Sequence, residues 1–323
     1  MPCGYCELRC RLENGESVCG SYVYDGKQVV EAAPFHFLEP YCVDMENLPF
    51  FHAEPGAQVI QTGTKGCNAK CDYCVNSHLA IEDSDYSLVE YAPGQLVTIA
   101  KQQMAIGIVF ALNEVTLALP SVVEVSKCAR EAGLMTGCLT NGFLTEESAA
   151  LLAANMDMIN VSLKSMSDDF YKKSLSLPSV GPVLRNIANF RKSAHVEIVT
   201  PVAKELTVDE LHEMADFIES VDPDIPWHIF RLFRTHERSN EEARDFSEMI
   251  SFTEAIRARL PYTYFSNFPG SKWVDTVCPG CGCRVVRRIS IGACGARYFK
   301  DALAQKDCCP ECSTPIPVFR KEV

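Results

Sequence analysis

Between residues 58 and 233, short apolar runs alternate with longer stretches whose apolar residues recur every three or four positions. The runs 58–62, 107–112, 135–140, 158–163, 195–202 and 227–233 read as strands. Segments of helical period follow at 94–105, 121–132, 145–154, 182–193, 207–220 and 240–260. Thr145-Glu146-Glu147-Ser148 and Thr207-Val208-Asp209-Glu210 each place a capping hydroxyl ahead of first-turn carboxylates. Six strands in regular alternation with helices predict an α/β fold with a parallel sheet and right-handed crossovers. An open (βα)6 barrel and a doubly wound sheet both fit, and in either case ligands belong at the carboxyl ends of the strands. No internal repeat or low-complexity tract interrupts the pattern.

Composition restricts the function classes. The 323 residues, 47% hydrophobic and 22% charged, suit one large domain or two smaller ones around a sizeable core. Lys+Arg 30 against Asp+Glu 42 gives a net charge of −12, which argues against nucleic acid or an anionic membrane as partner. One basic group, Arg284, Arg287, Arg288, Arg297 and Lys300, runs against that balance and keeps nucleic acid open. The longest aliphatic stretch, 106–112, is far too short to cross a membrane. The opening residues hold cysteines where a signal peptide would have its apolar segment. The expectation is a soluble, cytoplasmic protein.

Cysteine is the departure from ordinary composition. Seventeen cysteines without an export signal point to metal ligation or redox chemistry rather than a disulfide framework. Cys3, Cys6, Cys10 and Cys19 crowd the N-terminus, and Cys67, Cys71 and Cys74 follow the first predicted strand. Cys278, Cys281, Cys283, Cys294, Cys308, Cys309 and Cys312 form a C-terminal group. Of the others, Cys128 and Cys138 are expected to be packing residues. Three thiolates at C-x3-C-x2-C can bind three irons of a [4Fe–4S] cube and leave the fourth open to chelate a substrate or cofactor. A zinc site, or a chance trio in a cysteine-rich chain, is the alternative. Paired C-x2-C knuckles, Cys278/Cys281 and Cys309/Cys312, make a tetrahedral four-sulfur site, most simply structural zinc, with an auxiliary cluster or rubredoxin-type iron as the alternative. The N-terminal four could close another four-sulfur site holding zinc or a cluster, or stand as free or redox-active thiols.

The loop Gly63-Thr64-Lys65-Gly66-Cys67-Asn68-Ala69-Lys70-Cys71-Asp72-Tyr73-Cys74 resembles the C-x3-C-x-aromatic-C signature of the radical S-adenosylmethionine (SAM) superfamily. That resemblance implies a partial (βα)6 barrel. It also implies a [4Fe–4S] cluster whose fourth iron is chelated by the amino and carboxylate groups of SAM. One electron would cleave SAM to methionine and a 5′-deoxyadenosyl radical, which abstracts hydrogen from substrate. A one-electron donor such as flavodoxin or ferredoxin is implied as partner, together with a small-molecule or protein substrate.

Further segments resemble the family's SAM contacts. Leu112-Asn113-Glu114 stands where Gly-Gly-Glu meets the SAM amino group, though both glycines are replaced and Val115 stands where Pro is usual. Thr140-Asn141-Gly142 resembles a turn whose Asn reaches the ribose or carboxylate. Ser162-Leu163-Lys164 resembles an Asp-x-Lys motif whose Lys meets the carboxylate. Trp227-His228 resembles a segment whose His contacts the ribose. The implied cofactor-binding set is Tyr73, Asn113, Glu114, Asn141, Lys164 and His228. No side chain is singled out as catalytic.

The resemblance extends to the pyruvate-formate-lyase-activase-like branch, and within it to AmmeMemoRadiSam-type radical SAM proteins. It rests on Cys3-Gly-Tyr-Cys6-Glu-Leu-Arg-Cys10 with Asn14-Gly15 and Cys19-Gly20, on Pro49-Phe50-Phe51-His52 with Pro55-Gly56, and on Pro226-Trp227-His228. The tail Cys278-Pro-Gly-Cys281-Gly with Arg287-Arg288 adds to it. Cys283, Cys294 and Cys308 are additional to that pattern. The expected organisation is a Cys-rich N-terminal extension (1–47), a radical SAM core (48–270) and a zinc-ribbon-like module (271–323). The leading function is hydrogen abstraction from an unidentified substrate. The alternatives are an activase that installs a glycyl radical on a partner enzyme and a non-catalytic metal-binding scaffold.

Overall fold

A computed structural model describes residues 1–12, 17–81, 86–292, 294–303 and 307–321; the Asn14-Gly15 pair lies outside them. The N-terminal part holds a hairpin, β1 (Tyr22–Tyr24) and β2 (Val29–Glu31), and a short strand, β3 (His36–Phe37). Next come β4 (Tyr41–Asp44), β5 (Gln58–Thr62), a single helical turn α1 (Ser77–Ala80) and β6 (Val89–Glu90), which pairs with β3. The alternating region runs α2 (Pro93–Gln102), β7 (Gly107–Phe110), α3 (Leu119–Glu131), β8 (Met135–Thr140), α4 (Glu146–Asn155) and β9 (Met158–Ser162). It continues with α5 (Asp168–Leu175), α6 (Gly181–Phe190), β10 (His195–Val202), α7 (Val208–Val221), β11 (Trp227–Arg231), α8 (Phe246–Arg257) and β12 (Thr263–Phe265). The antiparallel strands β13 (Thr276–Val277), β14 (Arg284–Ile289) and β15 (Arg297–Asp301) follow.

The main sheet has the order β12-β11-β10-β9-β8-β7-β5-β4. Its strands are parallel from β5 through β12, and β4 is an antiparallel edge. Because the six predicted strands lie in sequential order, the sheet curls as an open barrel; a doubly wound sheet would reverse its order at a switch point. The strands are buried on both faces, by helices outside and by the barrel filling within, and therefore read as continuous apolar runs. Both capping hydroxyls act as expected: Thr145 accepts from the Ser148 N–H (3.2 Å) and Thr207 from that of Glu210 (3.1 Å).

A strap of residues 45–53 closes the amino-terminal end of the barrel. Met45, Leu48, Phe50 and Ala53 pack against Val59, Val109, Met135 and Met158. Glu197 of β10 is fully buried there and accepts hydrogen bonds from the Phe51 N–H (2.9 Å), the His52 N–H (2.8 Å), His195 Nε2 (2.9 Å) and His228 Nε2 (2.6 Å). Burial alone would raise Glu197, but the bonds from His195 and His228 outweigh it and hold the carboxyl well below its usual range.

The C-terminal sheet is bolted to this same end. Arg288 Nε lies 3.3 Å from Glu46, Nη1 donates to Thr276 (2.8 Å) and Nη2 to the Phe51 carbonyl. Ala53 and Phe319 form a backbone bridge, with Phe319 N–H donating to His52 O (2.7 Å). The basic group therefore loses a member: Arg288 is buried and charge-paired, so it adds nothing to an exposed patch. Cys138 packs in the core as expected, and Cys128 is partly buried. Among the described residues, no helix is long and apolar enough to cross a membrane.

Candidate active site

At the carboxyl end of β5 the chain must turn tightly beneath its neighbour. A Cβ on Gly63 would stand 2.1 Å from the Ala111 carbonyl oxygen, so only glycine fits. The loop that follows carries Cys67, Cys71 and Cys74. It is pinned from α5, where Lys70 N–H donates to Leu175 O (2.8 Å) and Asp72 N–H to Ser174 O (3.0 Å). Arg238 clamps it from the other side, forking onto both Asp72 oxygens (2.8 and 2.9 Å) and reaching Glu205 (2.8 Å). Thr235 donates to the Tyr73 carbonyl (3.1 Å). Nothing in the sequence pattern pointed to Arg238, because its partners lie far away along the chain.

The three cysteines line a cavity of about 400 Å³ together with Tyr73, Asn113, Glu114, Asn141 and Lys164, all at strand ends as expected. The strap forms its floor through Asn47, Leu48 and Pro49, and Cys294 reaches it from the C-terminal region. Leu139, Val199, Pro201 and Phe230 supply apolar walls. A second cavity of about 600 Å³ shares Arg231, Leu232 and Phe233 with the first and adds Arg234 and Asn267.

The expected cofactor ligands divide into those already bonded and those left free. Asn113 is turned to the cysteine loop: its Oδ1 accepts from Thr64 N–H (2.9 Å), and its Nδ2 donates to Thr64 Oγ1 (2.6 Å) and Gly66 O (3.1 Å). Glu114 accepts from the Thr116 N–H and hydroxyl (3.1 and 2.5 Å), the Thr140 hydroxyl (2.8 Å) and the Asn141 N–H (2.7 Å). Four donors fill its acceptor sites, so it ties β7 to β8. Burial raises its pKa, and these bonds offset part of the rise. Asn141 donates to Asn68 Oδ1 (2.7 Å) and stands 3.8 Å from Cys67 Sγ.

His228 is the correction. It lies one layer below the cavity, fully buried, with Nε2 on Glu197 and Nδ1 2.8 Å from Ser266 Oγ. Both ring nitrogens are occupied, so it is a structural histidine rather than a ribose contact.

Lys164 and Tyr73 contrast with these. The Lys164 ammonium lies 5.7 Å from the Tyr73 ring centre, and among the described residues it has no carboxylate partner. The Tyr73 hydroxyl is buried with no hydrogen-bond partner. Burial pushes the Cys71 thiol up to about 11, with Lys164 opposing, and raises Cys74 as well.

The donor set fits an iron–sulfur cluster with an adjoining anionic ligand. Three cysteines face one cavity, and the Ala69 N–H lies 3.4 Å from Cys67 Sγ, where it would bond a thiolate. Lys164 and Tyr73, whose ammonium and hydroxyl have no such partners among the described residues, line the same cavity. The sequence profile of the Radical SAM superfamily matches residues 62–218. The chain carries a radical SAM domain. The superfamily implies a [4Fe–4S] cluster and SAM, and its members are enzymes that need an electron donor and a substrate.

The chain is 26% identical over 302 residues to an uncharacterized protein of Methanocaldococcus jannaschii, covering 91% of this chain and 89% of that one. It is 29% identical to a probable GTP 3′,8-cyclase of Methanosarcina mazei over 48% of each chain. Among solved structures, a domain of pyruvate-formate lyase-activating enzyme from Bacteroides vulgatus superposes with a TM-score of 0.40 at 18% identity, over 46% of this chain and 92% of that one. SuiB of Streptococcus suis bound to S-adenosylmethionine gives 0.45 at 14% identity, over 60% and 45%.

At the other end of the chain, the Sγ atoms of Cys278, Cys281, Cys309 and Cys312 all lie within 4.8 Å of one another. Gly280 stands in one knuckle, where a Cβ would meet Thr314 Oγ1 at 2.4 Å. The two knuckles of this group therefore close as the spacing predicted.

Proposed function

We propose that the protein reductively cleaves SAM at a [4Fe–4S] cluster held by Cys67, Cys71 and Cys74 and abstracts hydrogen from a substrate. The observation that carries this reading is the shared cavity: three cysteines and the Lys164 ammonium, which has no carboxylate partner among the described residues, face the same space. The bound cluster and SAM supply the electron transfer and radical chemistry. Lys164 offers its charge to the SAM carboxylate, and Asn141 and the Tyr73 hydroxyl offer polar contacts beside it. Leu139, Val199, Pro201 and Phe230 exclude water from the reacting centre. Substrate enters through the adjoining cavity past Arg231 and Arg234. A flavodoxin- or ferredoxin-type donor supplies the electron.

The division into extension (1–47), core (48–270) and ribbon-like module (271–323) belongs to this proposal. So does zinc in the C-terminal site, where the closely gathered sulfurs suit a single tetrahedral ion. The test is EPR of anaerobically reconstituted, reduced protein. A signal that changes on adding SAM is expected, and C67A/C71A/C74A should abolish that response. A SAM-responsive signal that survives the triple replacement would overturn the assignment.

A further inference from the structure

We propose that Cys3, Cys6, Cys10 and Cys19 hold a second iron–sulfur cluster, seated behind the loop that carries Cys67, Cys71 and Cys74. The chain gathers these four side chains on purpose-built backbone. Cys3 N–H donates to Cys10 O (2.7 Å), Arg9 N–H to Cys6 O (3.1 Å), and Cys6 bridges to Leu144 in the loop between β8 and α4. The hairpin after Cys19 is anchored by Tyr22, whose hydroxyl donates to Thr116 O (2.6 Å) and accepts from Leu119 N–H (3.2 Å). All four cysteines then line one small cavity, whose other wall includes Asn68 and Leu117.

The spread of the sulfurs separates a cluster from a single ion. Zn–S bonds of about 2.3 Å keep any two sulfurs on one zinc within about 4.6 Å. The C-terminal four meet that condition nearly, lying within 4.8 Å of one another. Among the described residues no other group of three or more cysteines does, so neither the N-terminal four nor the Cys67 trio is gathered as closely as the C-terminal four. In a cube each thiolate takes a different iron, so its sulfurs stand further apart than those around one ion. Four cysteines close every iron, which leaves no position for SAM.

A second observation points to a ligand in the same place. Asn68 is 2% exposed and its Nδ2 has no hydrogen-bond partner, yet it lines this cavity and faces Cys6. A buried amide donor left open among cysteines is costly unless thiolate or sulfide accepts from it. The other end of the same side chain accepts from Asn141, which stands against Cys67. One asparagine therefore serves both cysteine groups.

The experiment is iron and acid-labile sulfide analysis of reconstituted C67A/C71A/C74A, with EPR after reduction. About four irons per chain should remain, giving a signal that SAM does not alter. Adding Cys6→Ala and Cys10→Ala should remove that iron, while metal at the C-terminal site is retained and reports that the chain is folded. Cys10→Ser alone in the triple background is the gentler variant and should lower the iron content or shift the signal. The proposal is overturned if the triple variant holds no iron, if it takes up zinc in place of iron at this site, or if Cys10→Ser changes neither iron nor signal. Because the core cysteines are absent throughout, these outcomes stand apart from the fate of the SAM-binding assignment.

Discussion

The two ends of the barrel treat buried polar groups in opposite ways. At the amino-terminal end Glu197 gathers two backbone and two imidazole donors, and Arg288 is shared among Glu46, Thr276 and Phe51. At the carboxyl-terminal end, among the described residues, the Lys164 ammonium lacks a carboxylate, and the Tyr73 hydroxyl and Asn68 Nδ2 lack partners. An unsatisfied buried group costs roughly 1–3 kcal/mol, so a fold tolerates several together only where something else completes them. The closed end is built for stability, and the open end is built for ligands.

The largest effect that would break this contrast is at Glu197. Glu197→Ala should strand four donors and cost about 3–5 kcal/mol in denaturant unfolding. A loss below 1 kcal/mol would mean that the closed end is not where stability resides.

Acid provides the next test. Burial pushes His52 down to about 3, while Glu197 opposes the shift and Arg288 and His195 reinforce it. An unfolded histidine takes up its proton near 6.5, so between these values the unfolded chain binds more protons and stability falls as pH falls. Between pH 7 and pH 5, His52 alone should account for about 2 kcal/mol. Glu197, held low, adds its own loss only below the ordinary carboxylate value. Unfolding midpoints that stay flat between pH 7 and pH 5 would contradict a neutral, buried His52.

The smallest effect sharpens the open end. Lys164→Ala should weaken SAM binding by about 1.5 kcal/mol, roughly tenfold, and move unfolding stability by less than about 0.5 kcal/mol. Equal SAM affinity in calorimetry would return Lys164 to an ordinary strand-end lysine.

What could be read from the sequence follows the range of the interactions involved. The six strands are legible because each is buried on both faces, and β5, β8 and β10 have the expected bounds. β12 escapes because a three-residue strand carries too little periodicity. α5 escapes through its charged composition, although Ser167-Asp168-Asp169 is a capping signal and the Ser167 hydroxyl does accept from Phe170 N–H. The last helix starts at Phe246 rather than 240 because Asp245 caps it there.

The gathering of Cys67, Cys71, Cys74 and Lys164 around one cavity follows from spacing and strand-end position. The burial of His228 does not, because its partner Glu197 sits on a different strand and nothing local reveals a carboxylate beneath it. The bonds that turn Asn113 towards the cysteine loop and Arg238 onto Asp72 are hidden for the same reason. Each joins loops that meet only in the folded barrel.

Arg288 and Glu46 are 242 positions apart. A chain made from its amino terminus outward therefore displays Glu46 long before the guanidinium that will neutralise it exists. At about 5–20 residues per second the wait is on the order of ten to fifty seconds. During that interval the strap of residues 45–53 has neither Arg288 nor Phe319 to hold it. The nascent barrel stays unlatched at one end until residues 288–319 have been made, and a later-made segment locks an earlier one.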